Sequence, residues 1–318
     1  MRVEPRPQPF ERDGDVVMKL HLKENSGRRF PRFAWRTALL LGVILGLAEV
    51  GYLMAQGVLP NSADLLRLAI RGDAFQTNQD LFLAFRRSAL IPIFGIAILS
   101  FIAISLGHFF KFGPKDMSAP SEEDEIPWWD LSIRVVHGLM VVVFLILFIT
   151  GLMITFGRYF VSPGVFLRQS HEIAGFLFVP LLAYMVVTWL KEAMFKAYDL
   201  DWLKNFGGYL GSKAKLTSGK FNAGQKLWFW VMAVTGILLS YSGLMLFFQI
   251  GNMEDMKFQV VLHMLSAMPM MLMFLVHLYM TTLGTKGTLM GMIHGRFSKA
   301  AAESYHSEAS ELKAVESK

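Results

Sequence analysis

The sequence predicts an all-α membrane protein: a four-helix transmembrane bundle preceded by a two-helix transmembrane hairpin. Three observations carry the prediction. Hydrophobic residues make up 53% of the 318 residues, and the mean hydropathy is +0.42, more apolar than a soluble domain of ordinary composition. Six stretches, near 34–56, 89–110, 135–156, 171–190, 227–249 and 258–283, are nearly free of charge, and each is roughly 20 residues long, which a helix needs to cross about 30 Å of hydrocarbon. The basic residues gather in the connections between these stretches, which is a topology signal.

Taken in order, residues 1–33 are polar and basic, with Arg28, Arg29 and Arg32 close to the first span, and are expected to stay cytoplasmic. That hydrophilic run is long for a cleaved signal, so the span at 34–56 is expected to be retained. It forms a transmembrane hairpin, 34–112, with the second span. A Pro- and acid-rich linker, 113–128, holding Ser121-Glu122-Glu123-Asp124-Glu125, separates the hairpin from the bundle at 129–284 and reads as a solvated connection. Following the helices back and forth, the 191–226 connection also lands inside, and its lysines, among them Lys191, Lys204 and Lys220, agree with that side. The tail, 285–318, falls on the same side and is expected to end in a mobile polar segment.

All spans should be helical, because lipid offers the backbone no hydrogen-bonding partner. The chain has no cysteine, which excludes disulfides, thiolate-held iron–sulfur clusters and covalently attached haem. Any cofactor must be held by histidine or carboxylate. The net charge of +6 is spread over the connections and does not point to nucleic acid; the partner surface is membrane lipid.

Eight histidines occur. His21, His108, His294 and His306 lie in tails or at a helix end and are expected at the surface or interface. His137, His171, His263 and His277 fall in the last four spans, where an ionisable residue is costly and marks function. His263 and His277 share one helix fourteen residues apart, so they differ by only about 40° in direction and about 21 Å in height. Depth supplies partners: His137 enters from the inner side and His171 opens its helix at the outer side. Two same-level pairs result, and facing helices can offer two imidazoles to opposite faces of an iron porphyrin.

Arg134 and Arg168 each precede one of these histidines by three residues, placing a cation where anionic haem propionates would lie, although snorkelling arginines have the same pattern. Gly151 and Gly175 fall where a ring needs room, and helix packing alone would also use them. In the 219–226 loop, Asn222 and Gln225 can donate to a quinone carbonyl and Gly224 lets backbone approach closely; a turn with a helix cap fits the same residues.

These residues resemble the gamma subunit, a cytochrome b556, of the membrane-bound, quinone-linked formate dehydrogenases. The stretches that carry the likeness are Asp130–His137 (DLSIRVVH), His171–Gly175 (HEIAG), Tyr198–Gly208 (YDLDWLKNFGG), Gly219–Lys226 (GKFNAGQK), His263–Met280 ending in VHLYM, and Lys286–Lys299 (KGTLMGMIHGRFSK). The resemblance implies a four-helix di-haem cytochrome b bundle. In it His171 and His263 ligate an outer haem b, and His137 and His277 an inner one. Quinone, menaquinone or ubiquinone, would bind beside the inner haem at Asn222, Gly224, Gln225 and His277. It further implies an iron–sulfur beta subunit and a molybdenum- or tungsten-containing alpha subunit as partners, with scope for a higher oligomer of the complex, in a bacterial cytoplasmic membrane with both termini inside. The chain would relay electrons rather than oxidise formate. It departs from the family at Gly138, where an aromatic residue is common, and in its added first two spans. Two other readings stay open: the cytochrome b anchor of a nickel–iron hydrogenase or of a thiosulfate or polysulfide reductase, and a haem-free proton-coupled transporter.

Overall fold

The computed structural model describes residue 44 and residues 91–156, 164–212 and 214–316, so the predicted span at 34–56 and His21 lie outside the described residues. Five described helices are long and apolar enough to cross a membrane. They are α1 (Ile91–Phe112), α2 (Leu131–Phe156), α3 (Val165–Trp189), α5 (Ala223–Phe247) and α6 (Met253–Tyr279). A short helix α4 (Ala197–Lys204) lies between α3 and α5. Along α2 the side chains of Val135, Leu139, Val142, Ile146, Ile149 and Met153 are exposed, while Met140, Val143 and Thr150 are buried. An apolar face of that size is stable only against lipid, and the chain is a multi-pass membrane protein.

α2 lies against α3 and α5 against α6; α3 touches α5, and α1 packs on α6. The core between them holds Met140, Phe178, Leu182, Phe229, Met232 and Met270. Gly236 makes one of these approaches close, since a Cβ there would come within 2.8 Å of Leu182.

The helices extend beyond the apolar runs. α3 begins at Val165, so His171 does not open its helix as expected but sits six residues inside it, about 9 Å from its start. Arg168, Gln169 and Ser170 break the apolar run yet remain helical, because a helix propagates through polar residues once it has started. α5 and α6 begin four or five residues early for a different reason. Asn222 with Gln225, and Asn252 with Asp255, form capping boxes that satisfy the first backbone N–H groups.

The linker and tail also differ from expectation. Strand β1 (Lys115–Asp116) pairs in parallel with β3 (Thr285–Lys286), and β2 (Glu125–Pro127) pairs antiparallel with β4 (Arg296–Ser298). The tail continues as α7 (Thr288–His294), α8 (Lys299–Tyr305) and α9 (Ser310–Glu316). Met117, Ile126, Trp128, Phe297, Ala302 and Leu312 close a second small core there. The linker and most of the tail are thus one folded cap rather than a free connection and a mobile end, although Ser121, Glu122, Glu123 and Asp124 stay exposed as expected.

Candidate functional site

The four bundle histidines meet as two pairs. The ring centroids of His171 and His263 are 6.3 Å apart, and those of His137 and His277 are 6.4 Å apart. One metal between two imidazoles needs two bonds of about 2 Å, plus about 1 Å from each nitrogen to its ring centre, or about 6 Å in all. Both pairs have that separation. Among the described residues no group of three or more His, Cys, Asp or Glu gathers to hold a bare ion, whereas a porphyrin brings its own four nitrogens and asks the protein for only two.

Hydroxyls on neighbouring helices hold the first pair. Thr150 on α2 donates to the Ile146 carbonyl at 2.5 Å and Ser242 on α5 to the Leu238 carbonyl at 2.7 Å. Each hydroxyl oxygen is then free to accept from an imidazole Nδ1–H, His171 at 2.8 Å and His263 at 3.0 Å. That tautomer leaves each Nε2 with its lone pair, the form a metal requires. Cavity space agrees: a 710 Å³ cavity is lined by His171, His263, Gly151, Gly175, Gly243 and Arg168, within the range of small-molecule sites, about 300–1,000 Å³. Gly151 and Gly243 each have an imidazole carbon 3.5 Å from where a Cβ would stand.

Indoles frame the second pair. Trp228 stacks on His277 with centroids 5.4 Å apart and planes 19° from parallel, and Trp189 stands 6.3 Å from His137. Two buried donors near this level, Trp189 Nε1 and Arg134 Nε, have no hydrogen-bond partner. Arg134 also donates through Nη2 to the Ile293 carbonyl, tying α2 to the tail. Phe144, Phe148 and Phe274 fill the space between the two levels, with Phe144 and Phe274 4.7 Å apart.

Arg168 projects outward, its Nε 3.6 Å from Glu172 and its side chain 70% exposed, at the rim of the cavity. The 219–226 loop uses its polar residues for the helix cap. Asn222 Oδ1 accepts from the Gln225 N–H at 3.0 Å, and Gln225 Oε1 accepts from the Asn222 N–H at 2.9 Å. Gly224 is needed because a Cβ would come within 2.8 Å of Trp202. Of the remaining histidines, His294 is exposed, as expected. His108 is half-buried, donating Nε2–H to the Tyr209 carbonyl at 3.0 Å and accepting from the Tyr279 hydroxyl at 2.6 Å. His306 is not at the surface: it is buried, with Nδ1 donating to the Gly219 carbonyl at 2.8 Å.

Sequence reasoning missed Thr150, Ser242, Trp189 and Trp228. Thr150 and Ser242 each lie twenty-one residues before their histidine, a spacing with no local meaning. It also missed the buried pair of Lys226 and Asp199, 2.7 Å apart with both side chains 2% exposed, which bolts α4 to the start of α5. Tyr198 stacks beneath the same ammonium.

A transmembrane bundle that brings imidazoles together two by two, each pair set apart by the width of one metal centre, defines a membrane cytochrome b. The sequence model of the prokaryotic cytochrome b561 family matches residues 128–295, more than half of the chain, and the chain belongs to that family. Similar proteins include the nitrate-inducible formate dehydrogenase cytochrome b556(Fdn) subunit of Escherichia coli (strain K12), 27% identical over 188 residues, which are 54% of this chain and 84% of that one. The formate dehydrogenase cytochrome b556(fdo) subunit of the same strain is 25% identical over 143 residues, covering 44% and 67%. The formate dehydrogenase cytochrome b556 subunit of Haemophilus influenzae is 23% identical over 184 residues, covering 54% and 77%.

Proposed function

We propose that this cytochrome b is the membrane subunit of a formate dehydrogenase complex in the bacterial cytoplasmic membrane, holding two b haems and serving a quinone, menaquinone or ubiquinone. The observation that carries the reading is the pair of imidazole separations, 6.3 and 6.4 Å, repeated at two levels of one bundle. The names of the similar proteins support the choice of complex.

Haem b at each level would supply a one-electron carrier near each membrane surface. The chain's own residues do the rest. His171 with His263, and His137 with His277, would hold one haem iron each, and Thr150 and Ser242 keep the first pair in the ligating tautomer. Arg168 at the outer cavity and Arg134, with the buried Trp189 N–H, offer donors to anionic propionates. The cap at the head of α5 consumes the amide oxygens of Asn222 and Gln225, and their NH₂ ends are the groups that would donate to a quinone carbonyl near His277. The lysines of the 191–226 connection and the basic amino terminus support a cytoplasmic side for both ends by the positive-inside rule. Electrons would arrive from an iron–sulfur subunit fed by a molybdenum- or tungsten-containing formate-oxidising subunit.

The test is haem stoichiometry. The purified chain should carry two haems, and His263→Ala should carry one and lose quinone reduction by the complex. Retention of both haem spectra and full quinone reduction in His263→Ala would refute the ligand assignment. Nickel in the co-purifying partner would move the chain to a hydrogenase.

A further inference from the structure

We propose that Lys115 is the proton donor to the quinone carbonyl, acting through a one-water recess where the linker, the connection between α4 and α5 and the tail meet at the cytoplasmic end of the bundle. This rests on the quinone reading above and adds to it a residue outside the 128–295 region that defines the family.

Lys115 also lines a cavity of 410 Å³ with Phe112, Tyr209, Ser212, Leu216 and Tyr305, through which cytoplasmic water would reach it. Phe112 is the last residue of the membrane-spanning helix α1. A separate recess of about 10 Å³, room for a single water, is lined by Lys115, Tyr209, Tyr305 and Asn222, so one water there would join the lysine to the loop named above. It also adjoins the inner histidine's helix: His108 bridges the Tyr209 carbonyl to the hydroxyl of Tyr279, two residues past His277.

Lys115 is unusually well held for a lysine. Its Nζ donates to the Gly207 carbonyl at 3.2 Å and lies 3.6 Å from the Tyr305 ring centre and 5.0 Å from that of Tyr209. An ammonium has three N–H donors, and the carbonyl takes one, leaving donors for that water. Burial lowers its pKa to about 8, so the ammonium releases a proton far more readily than an exposed lysine while still being charged at neutral pH. The titratable groups around it are Asp116 next in the chain, Lys286 on the paired strand, the phenols of Tyr209 and Tyr305, and His306, whose own charge Lys115 opposes.

The step balances simply. Quinone takes two electrons, delivered by the complex from formate, and two protons, one from the Lys115 ammonium through the recess water to a carbonyl oxygen and one from cytoplasmic water. The Lys115 amine then regains its proton from the cytoplasm.

The experiment uses the whole complex in native membranes, with Lys115→Met, Lys115→Arg and Asn222→Leu. Haem spectra are recorded first, so that only complexes with full haem content are compared. Lys115→Met should cut the quinone-reduction rate by about 100-fold, the size of a lost general acid, and weaken binding of a redox-inert quinone analogue, read by its shift of the haem spectrum. Lys115→Arg, which keeps the cation and both ring contacts, should retain analogue binding while removing the alkaline limb of the rate profile near pH 8. A Lys115→Met complex with full haem, wild-type rate and an unchanged pH profile overturns the proposal. If Asn222→Leu abolishes analogue binding while Lys115→Met leaves it and the rate intact, only the Lys115 role falls. If neither variant affects binding or rate, the quinone-site reading falls with it.

Discussion

Removing one member of the Lys226–Asp199 pair should destabilise the end of the bundle where α4 meets α5 more than any surface change. Both side chains are 2% exposed and 2.7 Å apart. Asp199 Oδ2 also accepts from the Lys196 N–H at 2.6 Å as part of the α4 cap, and its Oδ1 has no partner. Asp199→Ala therefore leaves a lysine charge in an apolar site, a loss of about 3–5 kcal/mol, with about 1 kcal/mol more for the lost cap. Lys226→Met leaves the carboxylate stranded instead and should cost about as much as the ion-pair part alone. Lys226→Met combined with Asp199→Leu removes both charges, and should recover most of that loss because an apolar pair of similar volume is often neutral at such a site. The assay is thermal unfolding of the haem-loaded protein in detergent, followed by haem absorbance, where 3–5 kcal/mol corresponds to a fall of at least about 6 °C. Single variants within about 1 kcal/mol of the parent, or a double variant worse than both singles, would refute the reasoning that the pair is buried and mutually dependent.

Three further predictions can be checked on the same material. Ser242→Ala, which deletes the acceptor 3.0 Å from His263 Nδ1, should weaken haem retention at the proposed His171–His263 site by about 10-fold, measured by haem loss to apomyoglobin, with no change at the proposed His137–His277 site; equal loss from both would contradict the pairing. Thr150→Val should act in the same direction through His171, whereas Thr150→Ser should restore the parent value. The docked tail should loosen in acid: burial, with Lys115 nearby, pushes the His306 imidazole below its ordinary 6.5, so the undocked tail binds a proton that the docked one resists, and docking is full above about pH 6.5 and weakens below it. Limited proteolysis of the tail should accelerate as pH falls through that value, and His306→Gln should remove the acceleration.

What could be read from the residues, and what could not, follows from how far each feature reaches along the chain. The five described spans, the family motifs and the four bundle histidines were legible because each is a local pattern: an apolar run as long as the bilayer is thick, and two histidines on one helix whose fourteen-residue spacing returns them to the same face. The helix starts were misjudged where polar residues such as Arg168 and Asn222 continue or cap a helix, since hydropathy reports solvent and not backbone conformation. The Asn222–Gln225 loop was legible as a cap or a quinone contact, and its hydrogen bonds form the cap with the two amide oxygens alone.

The sequence by itself determined that this is a helical membrane protein with imidazoles at two depths, because the bilayer imposes length and polarity on every span independently. Only the tertiary structure decided which hydroxyls orient His171 and His263, which indoles flank His137 and His277, and that the acidic linker and the tail close over a shared core. Those arrangements join residues from twenty-one to more than 170 positions apart, and strands of two or three residues leave no periodic trace. Contacts of that range exist only once the helices have packed, so no window along the chain could have held them.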